Sequence, residues 1–284
     1  MKDAGSTVSP VSANRPLATL PAAFWIGLFS FREMLRRRRL IALGLVMLLP
    51  VIITLAWRLL DNEGLITPAL WLANLGGVFY IHFLVAVVAL AVGISAISEQ
   101  VEEGTIIYYW TRPLERRAIY LGRLAAAQTV AVVFLVASLA ICFVVMTFGN
   151  PGALSWDFVT LYVGNCCVIA VGALVYTAIF ACVGTALRKP MLLSVLWVFG
   201  WESVGTSPAP QRVKELTIVF HLRNLVQNRT EGTRDIPNLL EELKQALLHE
   251  EPIPEWQSAL VLLGVLTVAT FLGFMLLRRK EIFK

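Results

Sequence analysis

The sequence predicts an all-α polytopic membrane protein with six transmembrane helices, and two observations lead to this fold class. Of the 284 residues, 57% are hydrophobic and only 15% are charged. The apolar residues also form long continuous runs, which is typical of chains embedded in a bilayer. Because these runs do not alternate between apolar and polar residues, they disfavour a closed β-barrel.

Each predicted span follows from the length of an apolar run. Crossing the hydrocarbon core, about 30 Å thick, takes about 20 helical residues. The interiors of the runs lack Arg and Lys, each of which opposes insertion by about 2.5–3.5 kcal/mol at a helix centre. Because the fifth run would reach only about 24 Å, we expect it to stop short of the far surface. The six runs are residues 40–60, 71–97, 120–148, 158–187, 191–206 and 256–277.

The distribution of basic residues predicts the orientation. Four consecutive arginines, residues 36–39, precede the first span, and the second connection, the fourth connection and the C-terminal tail are also basic. The first and third connections carry almost no Lys or Arg. By the positive-inside rule both termini lie in the cytoplasm, which suits a multi-pass protein of the cell inner membrane. The net charge of +5 is then explained by anionic lipid and predicts no nucleic-acid partner.

The chain before the first span divides into two parts. Residues 1–19 are rich in Ser, Ala and Pro and are predicted to be a disordered lead, followed by one transmembrane domain over residues 20–284. Apolar residues at helical spacing and a following arginine run predict a helix lying flat on the cytoplasmic leaflet. The alternative is a simple extension of the first span. The residues that identify this interfacial helix include Phe24, Trp25, Leu28, Phe31, Arg32 and Leu35.

A long polar segment, residues 207–255, separates the fifth and sixth spans. Asn238 with Glu241 three residues later has capping-box spacing and begins an amphipathic helix. A second short helix is predicted within "RVKELTIVFHLRNLV". We expect the segment to lie outside the cell and to return partly into the bilayer.

Several catalytic motifs are missing from the sequence. There is no G-x-x-x-x-G-K-[ST] phosphate-binding loop, no H-E-x-x-H and no G-x-S-x-G. The sequence therefore predicts no catalytic residue, metal or cofactor in this chain. A membrane-embedded enzyme or intramembrane protease remains as an alternative, with Ser95 as nucleophile and His82 as base, although about 20 Å would separate them on a straight helix.

Four polar residues within the apolar runs are candidates for a substrate path, because intramembrane polar residues are costly unless they have a role. A helix-to-helix hydrogen bond is the alternative for the first three, and a position among lipid headgroups is the alternative for the last. They are Asn74, His82, Asn165 and Glu202.

The second connection, residues 99–123, holds a dense group of charges and aromatic rings. Glu99 and Glu103 are four residues apart and would repel each other on one helix face. Three arginines beyond the break expected at Pro113 are the nearest cations, so we expect an ion-paired cytoplasmic hairpin. These arginines are Arg116, Arg117 and Arg123.

These residues resemble a motif of the membrane permease subunit of type-2 ATP-binding-cassette (ABC) exporters. That family has an E-x-x-x-G-T-like start, a Pro-x-x-Arg turn and a Gly-Lys pair opening the third span. Here the start is Glu99 or Glu103 with Gly104 and Thr105, the turn is Pro113 with Arg116, and the pair is Gly122 with Arg123 in place of the usual Lys. The resemblance extends over nearly the whole chain from about residue 20.

The resemblance implies a mechanism and partners. Such permeases pair as dimers, with an identical or a paralogous second copy, and each sits on a cytoplasmic ATPase subunit that binds ATP and Mg²⁺. The interfacial helix and the hairpin would seat in a groove of that ATPase. The residues implied to couple the two proteins are Glu99, Glu103, Gly104, Thr105, Pro113, Arg116, Arg117 and Arg123.

Overall fold

A computed structural model describes nine stretches of the chain, and these stretches are almost wholly helical, with no strand among them. The all-α polytopic prediction is therefore confirmed. The described residues are 19–36, 39–60, 71–72, 74–102, 116–148, 155–187, 190–202, 210–230 and 253–279.

Nine α-helices and two π-helical segments make up these stretches. The α-helices are α1 (Thr19–Arg36), α2 (Arg39–Leu60), α3 (Val85–Glu102), α4 (Arg116–Thr147), α5 (Trp156–Ala186), α6 (Pro190–Leu196), α7 (Gln211–Lys214), α8 (Ile218–Thr230) and α9 (Glu255–Arg279). The π segments are Leu75–Leu84, which leads directly into α3, and Trp197–Trp201, which follows α6.

Among the described residues, five helices are long and apolar enough to cross a membrane, and they match five of the predicted runs: Ile41–Leu60, Leu75–Ile97, Arg117–Thr147, Trp156–Ala186 and Glu255–Arg279. The fifth run forms the shorter apolar helix Pro190–Trp201. At about 1.5 Å per residue this helix is too short to cross the hydrocarbon core. The sequence predicted this, because its fifth apolar run is shorter than the others.

The centre of the bundle is α5, which packs against α3, α4 and α9. Small residues allow this close approach. A Cβ atom on Gly93 of α3 would lie 2.9 Å from the carbonyl oxygen of Thr177, and one on Gly184 of α5 would lie 3.3 Å from that of Ile94. Helices that share an apolar solvent associate through such small-residue contacts, because lipid provides no hydrophobic drive between them.

The first span, α2, is peripheral and exposes most of its apolar surface. Buried polar groups nevertheless connect it to the bundle. The Ser138 hydroxyl donates to the Met47 carbonyl at 3.0 Å and lies 2.9 Å from the Tyr80 hydroxyl. These hydrogen bonds link α2, α4 and the first π segment. Each polar group there needs a protein partner because water is absent.

The segment between the fifth and sixth spans contains α7 and α8. One short helix was predicted within "RVKELTIVFHLRNLV", and the structure divides this stretch between the two helices. α8 packs against α5, α9 and the first π segment. Its Leu222 would contact a Cβ atom on Gly172, halfway along α5, at 3.0 Å. The amphipathic helix predicted from Asn238 lies outside the described residues.

Candidate functional site

The interfacial helix α1 meets the base of α4 through two glycines. A Cβ atom on Gly122 would lie 2.5 Å from the carbonyl oxygen of Ala23, and one on Gly27 would lie 3.1 Å from that of Gly122. The two backbones therefore touch where no larger side chain fits. Since α1 packs on α4 and hardly contacts α2, its packing favours a separate helix over an extension of the first span.

Beside this glycine contact, one buried arginine joins three helices. Arg123 of α4 donates from Nε to the carbonyl oxygen of Ala96 in α3 at 2.8 Å. Its Nη2 lies 3.7 Å from Oε2 of Glu33 in α1. Arg123 is 5% exposed, so this charge is held by protein groups and not by water. We call the contact of Gly27 and Gly122 together with Arg123, Glu33 and Ala96 the α1–α4 joint.

Sequence reasoning identified Arg123 and Gly122 but missed Glu33. Glu33 is the only acidic residue of α1, and this isolated acid among arginines was a usable signal. The partners considered for Arg123 were Glu99 and Glu103, whereas the ion pair described for it is with Glu33.

The remaining predicted coupling residues are only partly described. Glu99 lies in α3 and Arg116 begins α4, but their side chains are outside the described part of the structure. Arg117 is exposed, and its guanidinium carbon lies 5.3 Å from the centre of the Phe274 ring in α9. The others, Glu103, Gly104, Thr105 and Pro113, lie outside the described residues.

The six residues that identify the interfacial helix are divided between the two faces of α1. Phe31 is partly buried and packs against the core, whereas the others are exposed: Phe24, Trp25, Leu28, Arg32 and Leu35. Helix α1 therefore keeps one face on the bundle and presents large apolar side chains on the other, which is the pattern of a helix at a membrane interface.

Three of the four predicted path residues lie at the first π segment. Asn74 is exposed at its start, and His82 lies within it, with Nδ1 3.0 Å from the Gly77 carbonyl oxygen. Asn165 of α5 donates to the carbonyl oxygen of Leu161 at 2.9 Å, while its Oδ1 faces Gly76. A larger residue than glycine at position 76 would clash with that oxygen. π-helical turns are rare and occur frequently at functional sites.

The fourth predicted residue, Glu202, lies elsewhere and has a structural partner. It is 3% exposed, and its Oε2 accepts a hydrogen bond at 3.1 Å from the backbone N–H of Val219, the second residue of α8. The first N–H groups of a helix have no partner within the helix and favour negative charge. Glu202 thus fixes the start of α8 to the end of the short fifth helix, and it does not face headgroups.

A neutral hydrogen-bonded cluster holds α8 to the start of α9. His221 Nε2 lies 2.8 Å from the Glu215 carbonyl oxygen and Nδ1 lies 3.2 Å from Ser258 Oγ. Asn224 donates to Ser258 Oγ at 3.0 Å and to the Ile253 carbonyl oxygen at 2.7 Å. We call these residues the α8–α9 cluster; the sequence analysis did not single them out.

The partners of His221 define the tautomer of its neutral ring. The Glu215 carbonyl can only accept, so Nε2 carries a proton; Ser258 then donates to the bare Nδ1 and accepts from Asn224. Burial lowers the pKa of His221, and the hydrogen bond to Glu215 opposes this only in part. The neutral ring is therefore the form that the cluster stabilises.

The fold and these contacts define a multi-pass helical membrane protein with a buried ionic joint at the base of its third span. The chain belongs to the ABC-2 family: the family model described as ABC-2 family transporter protein matches residues 25–282. The chain is accordingly a type-2 permease subunit, the transmembrane component of an ABC transporter. A comparison with curated proteins finds no match.

Proposed function

We propose that this permease exports its substrate in complex with a separate cytoplasmic ATPase subunit, and that the α1–α4 joint transmits the movement. The observation that supports this most directly is the position of Arg123. The Arg123 guanidinium extends from α4 and contacts both α1 and α3. A displacement of any one of these three helices would therefore exert a force on the other two.

The joint is built near the end of α3 and the start of α4, the two helices that flank residues 103–115, for which the sequence predicts a hairpin. On our proposal the ATPase binds ATP and Mg²⁺ and grips this hairpin together with the exposed face of α1. The hairpin contacts would come from Glu103, Gly104, Thr105 and Pro113, with Glu99, Arg116 and Arg117 at its ends. Inverting a 1:99 population takes about 5.5 kcal/mol of differential binding, which a loosely tethered loop could not transmit.

The same displacement would reach the proposed substrate path, because α3 continues from the first π segment. Asn165 supports a path here, since its Oδ1 has no hydrogen-bond partner among the described residues. A buried acceptor without a partner is costly, and a passing hydroxyl or amide could donate to it. The α8 helix, whose Leu222 reaches Gly172 in mid-span, would re-enter the bilayer and line the outer part of this path.

A second permease copy is part of the proposal. The apolar faces of α2 and of the short fifth helix are largely exposed; on the latter these include Leu192, Leu193, Leu196 and Phe199. Such surface is satisfied by lipid or by another copy, and the short helix cannot complete a path across the bilayer alone. We place both termini in the cytoplasm and the complex in the cell inner membrane, as the basic segments indicate.

The alternative, a membrane-embedded enzyme, finds less support. The Ser95 hydroxyl donates to the Val92 carbonyl oxygen of its own helix at 3.0 Å, and the described contact of the His82 ring is with Gly77. An activated nucleophile requires a base within hydrogen-bond reach. An enzyme would show activity in the purified permease without an ATPase, and that activity would be lost in Ser95→Ala.

The proposed coupling is tested by charge reversal in the hairpin. In a reconstituted permease–ATPase complex we expect Glu103→Arg to abolish substrate-stimulated ATP hydrolysis and transport while the complex still folds. A matched control is Glu255→Arg, an exposed glutamate at the start of α9, which should leave both unchanged. Undiminished stimulated hydrolysis in Glu103→Arg would reject the coupling role.

A further inference from the structure

A groove runs between the base of α4 and the C-terminal half of α9. It encloses about 430 Å³, and its walls include Leu121 of α4 and Phe271 and Phe274 of α9, with Arg117 at one end. The groove exists because α4 and α9 have few contacts with each other, although both pack on α5. A volume of this size falls in the range of small-molecule binding sites.

Most of the groove surface is apolar. Two threonines line it, but their hydroxyls are already used in hydrogen bonds. The Thr270 hydroxyl donates to the Leu266 carbonyl oxygen at 2.8 Å, and the Thr267 hydroxyl donates to the Leu263 carbonyl oxygen at 3.0 Å. Because both hydroxyls donate to their own helix, neither has a proton left to donate to an anionic ligand. An occupant would therefore bury hydrocarbon along most of the groove.

Arg117 is the one charged residue in the described part of the groove wall, and it lies at the end nearest the start of α4. Its guanidinium lies over the Phe274 ring. A guanidinium near an aromatic ring still has its N–H donors available, and those donors match the oxygens of a phosphate. The groove thus combines one cationic donor group with a long apolar trough, which is the complement of an amphiphile with an anionic head.

The position in the bilayer identifies the source of this amphiphile. Arg117 lies in the first turn of α4, and residues 266–274 lie toward the C-terminal end of α9. The basic residues place both ends at the cytoplasmic surface. The molecule that meets such a groove is a phospholipid of the cytoplasmic leaflet, where anionic headgroups attract Arg and Lys.

We propose that the α4–α9 groove is a specific site for an anionic phospholipid, whose phosphate binds Arg117 and whose acyl chain lies along Leu121, Phe271 and Phe274. The other side of α9 provides an internal comparison. There a second groove of about 510 Å³, lined by residues such as Cys182, Val261 and Leu272, carries no charged side chain. It could take an acyl chain but has no group to select a headgroup.

The test measures which lipid the purified full-length permease retains. Protein in mixed micelles with equal amounts of phosphatidylglycerol and phosphatidylcholine is transferred to native mass spectrometry, and the ratio of the bound lipids is recorded. The wild type should prefer phosphatidylglycerol, and Arg117→Gln should reduce this preference about fivefold, corresponding to about 1 kcal/mol for one basic residue at an anionic surface.

Two further variants separate a built site from general surface charge. Arg279→Gln removes an exposed arginine near the end of α9 that does not line the groove, and it should keep the wild-type ratio. Thr267→Phe fills the trough but leaves Arg117 in place, and it should lower phosphatidylglycerol retention as much as Arg117→Gln does. The proposal is overturned if Arg117→Gln keeps the wild-type ratio, if Arg279→Gln loses the preference equally, or if millimolar inorganic phosphate displaces the lipid.

Discussion

Two regions of the molecule attach a helix that does not span the membrane to helices that do, and they use different chemistry. The α1–α4 joint fastens α1 with a backbone contact and a buried charge on Arg123. The α8–α9 cluster fastens α8 with neutral groups, His221, Asn224 and Ser258. A buried charge tolerates little displacement, because any loss of its partners is costly, whereas neutral hydrogen bonds are weaker individually. The difference suits a stiff transmission element at one end and a separable cover at the other.

The largest effect is expected from breaking the charged contact. Arg123→Gln removes the donor to Ala96 and leaves Glu33 without its described ion-pair partner, so it should cost about 3 kcal/mol of stability. Denaturant titration of the reconstituted permease measures this loss, and substrate-stimulated ATP hydrolysis should fall with it. Arg278→Gln, which removes an exposed arginine, is the control. A loss below about 0.5 kcal/mol in Arg123→Gln would show that the joint is not a rigid contact.

The next largest effect is expected from disrupting the contact between Gly27 and Gly122. Gly122→Ala places a methyl group 2.5 Å from the Ala23 carbonyl oxygen, and overpacking of this kind costs about 1–3 kcal/mol. We expect increased proteolysis and faster hydrogen exchange in α1, with α5 unchanged. Gly44→Ala is a matched control, since a Cβ atom there meets nothing within 4 Å. Unchanged exchange in α1 would contradict the proposed close contact.

At the opposite attachment we expect a smaller, local effect. Asn224→Ala removes the donor to Ile253 and Ser258, for a loss of about 1–2 kcal/mol. Hydrogen exchange should rise in α8 but not in α1, and substrate-stimulated hydrolysis should stay within about twofold of the wild type. Equal exchange increases in α1 would show that the two attachments are not independent.

The smallest effect is a pH dependence confined to the α8–α9 cluster. Because burial lowers the pKa of His221, the unfolded chain binds a proton more readily than the folded protein does. The contribution of neutral His221 to the stability of the fold is therefore complete above the pKa of His in the unfolded chain, about 6.5, and is lost as the pH falls below that pKa. The protection of the α8 amides, taken relative to their intrinsic exchange rates at each pH, should fall between about pH 7.5 and 5.5, and His221→Gln should flatten this fall. An equally steep fall in the variant would exclude His221 as the cause.

The sequence was sufficient for what depends on local composition. Each spanning helix follows from an uninterrupted apolar run, and the short fifth helix was expected for the same reason. Arg123 was selected as one of the cations nearest in the chain to Glu99 and Glu103, and as the counterpart of the Lys in the Gly-Lys pair of the family. Its partner Glu33 lies 90 residues away in the chain, and nothing local pairs the two. The same applies to the Gly27–Gly122 contact and to Glu202, whose partner Val219 is reached only when α8 folds back.

The π segment and the path residues show a related limit. Asn74, His82 and Asn165 were chosen as separate intramembrane polar residues, and only the fold shows that Asn165 of α5 faces the π segment that follows Asn74 and contains His82. A π-helix of ten residues is not encoded by an obvious local signal, since its sequence is as apolar as that of its neighbours. Gly76, which makes room for Asn165, is its one recognisable trace.

The central claim is that α1 and α4 move together when the ATPase closes, and a pair of spin-label distances tests it most directly. Labels would replace the exposed residues Phe29 in α1, Ala125 in α4 and Leu263 in α9, in a chain whose four native cysteines are substituted. Between the nucleotide-free and ATP-trapped complexes, the 29–125 distance should stay constant within about 1 Å, whereas the 29–263 distance should change by several ångströms. A changing 29–125 distance would contradict the account.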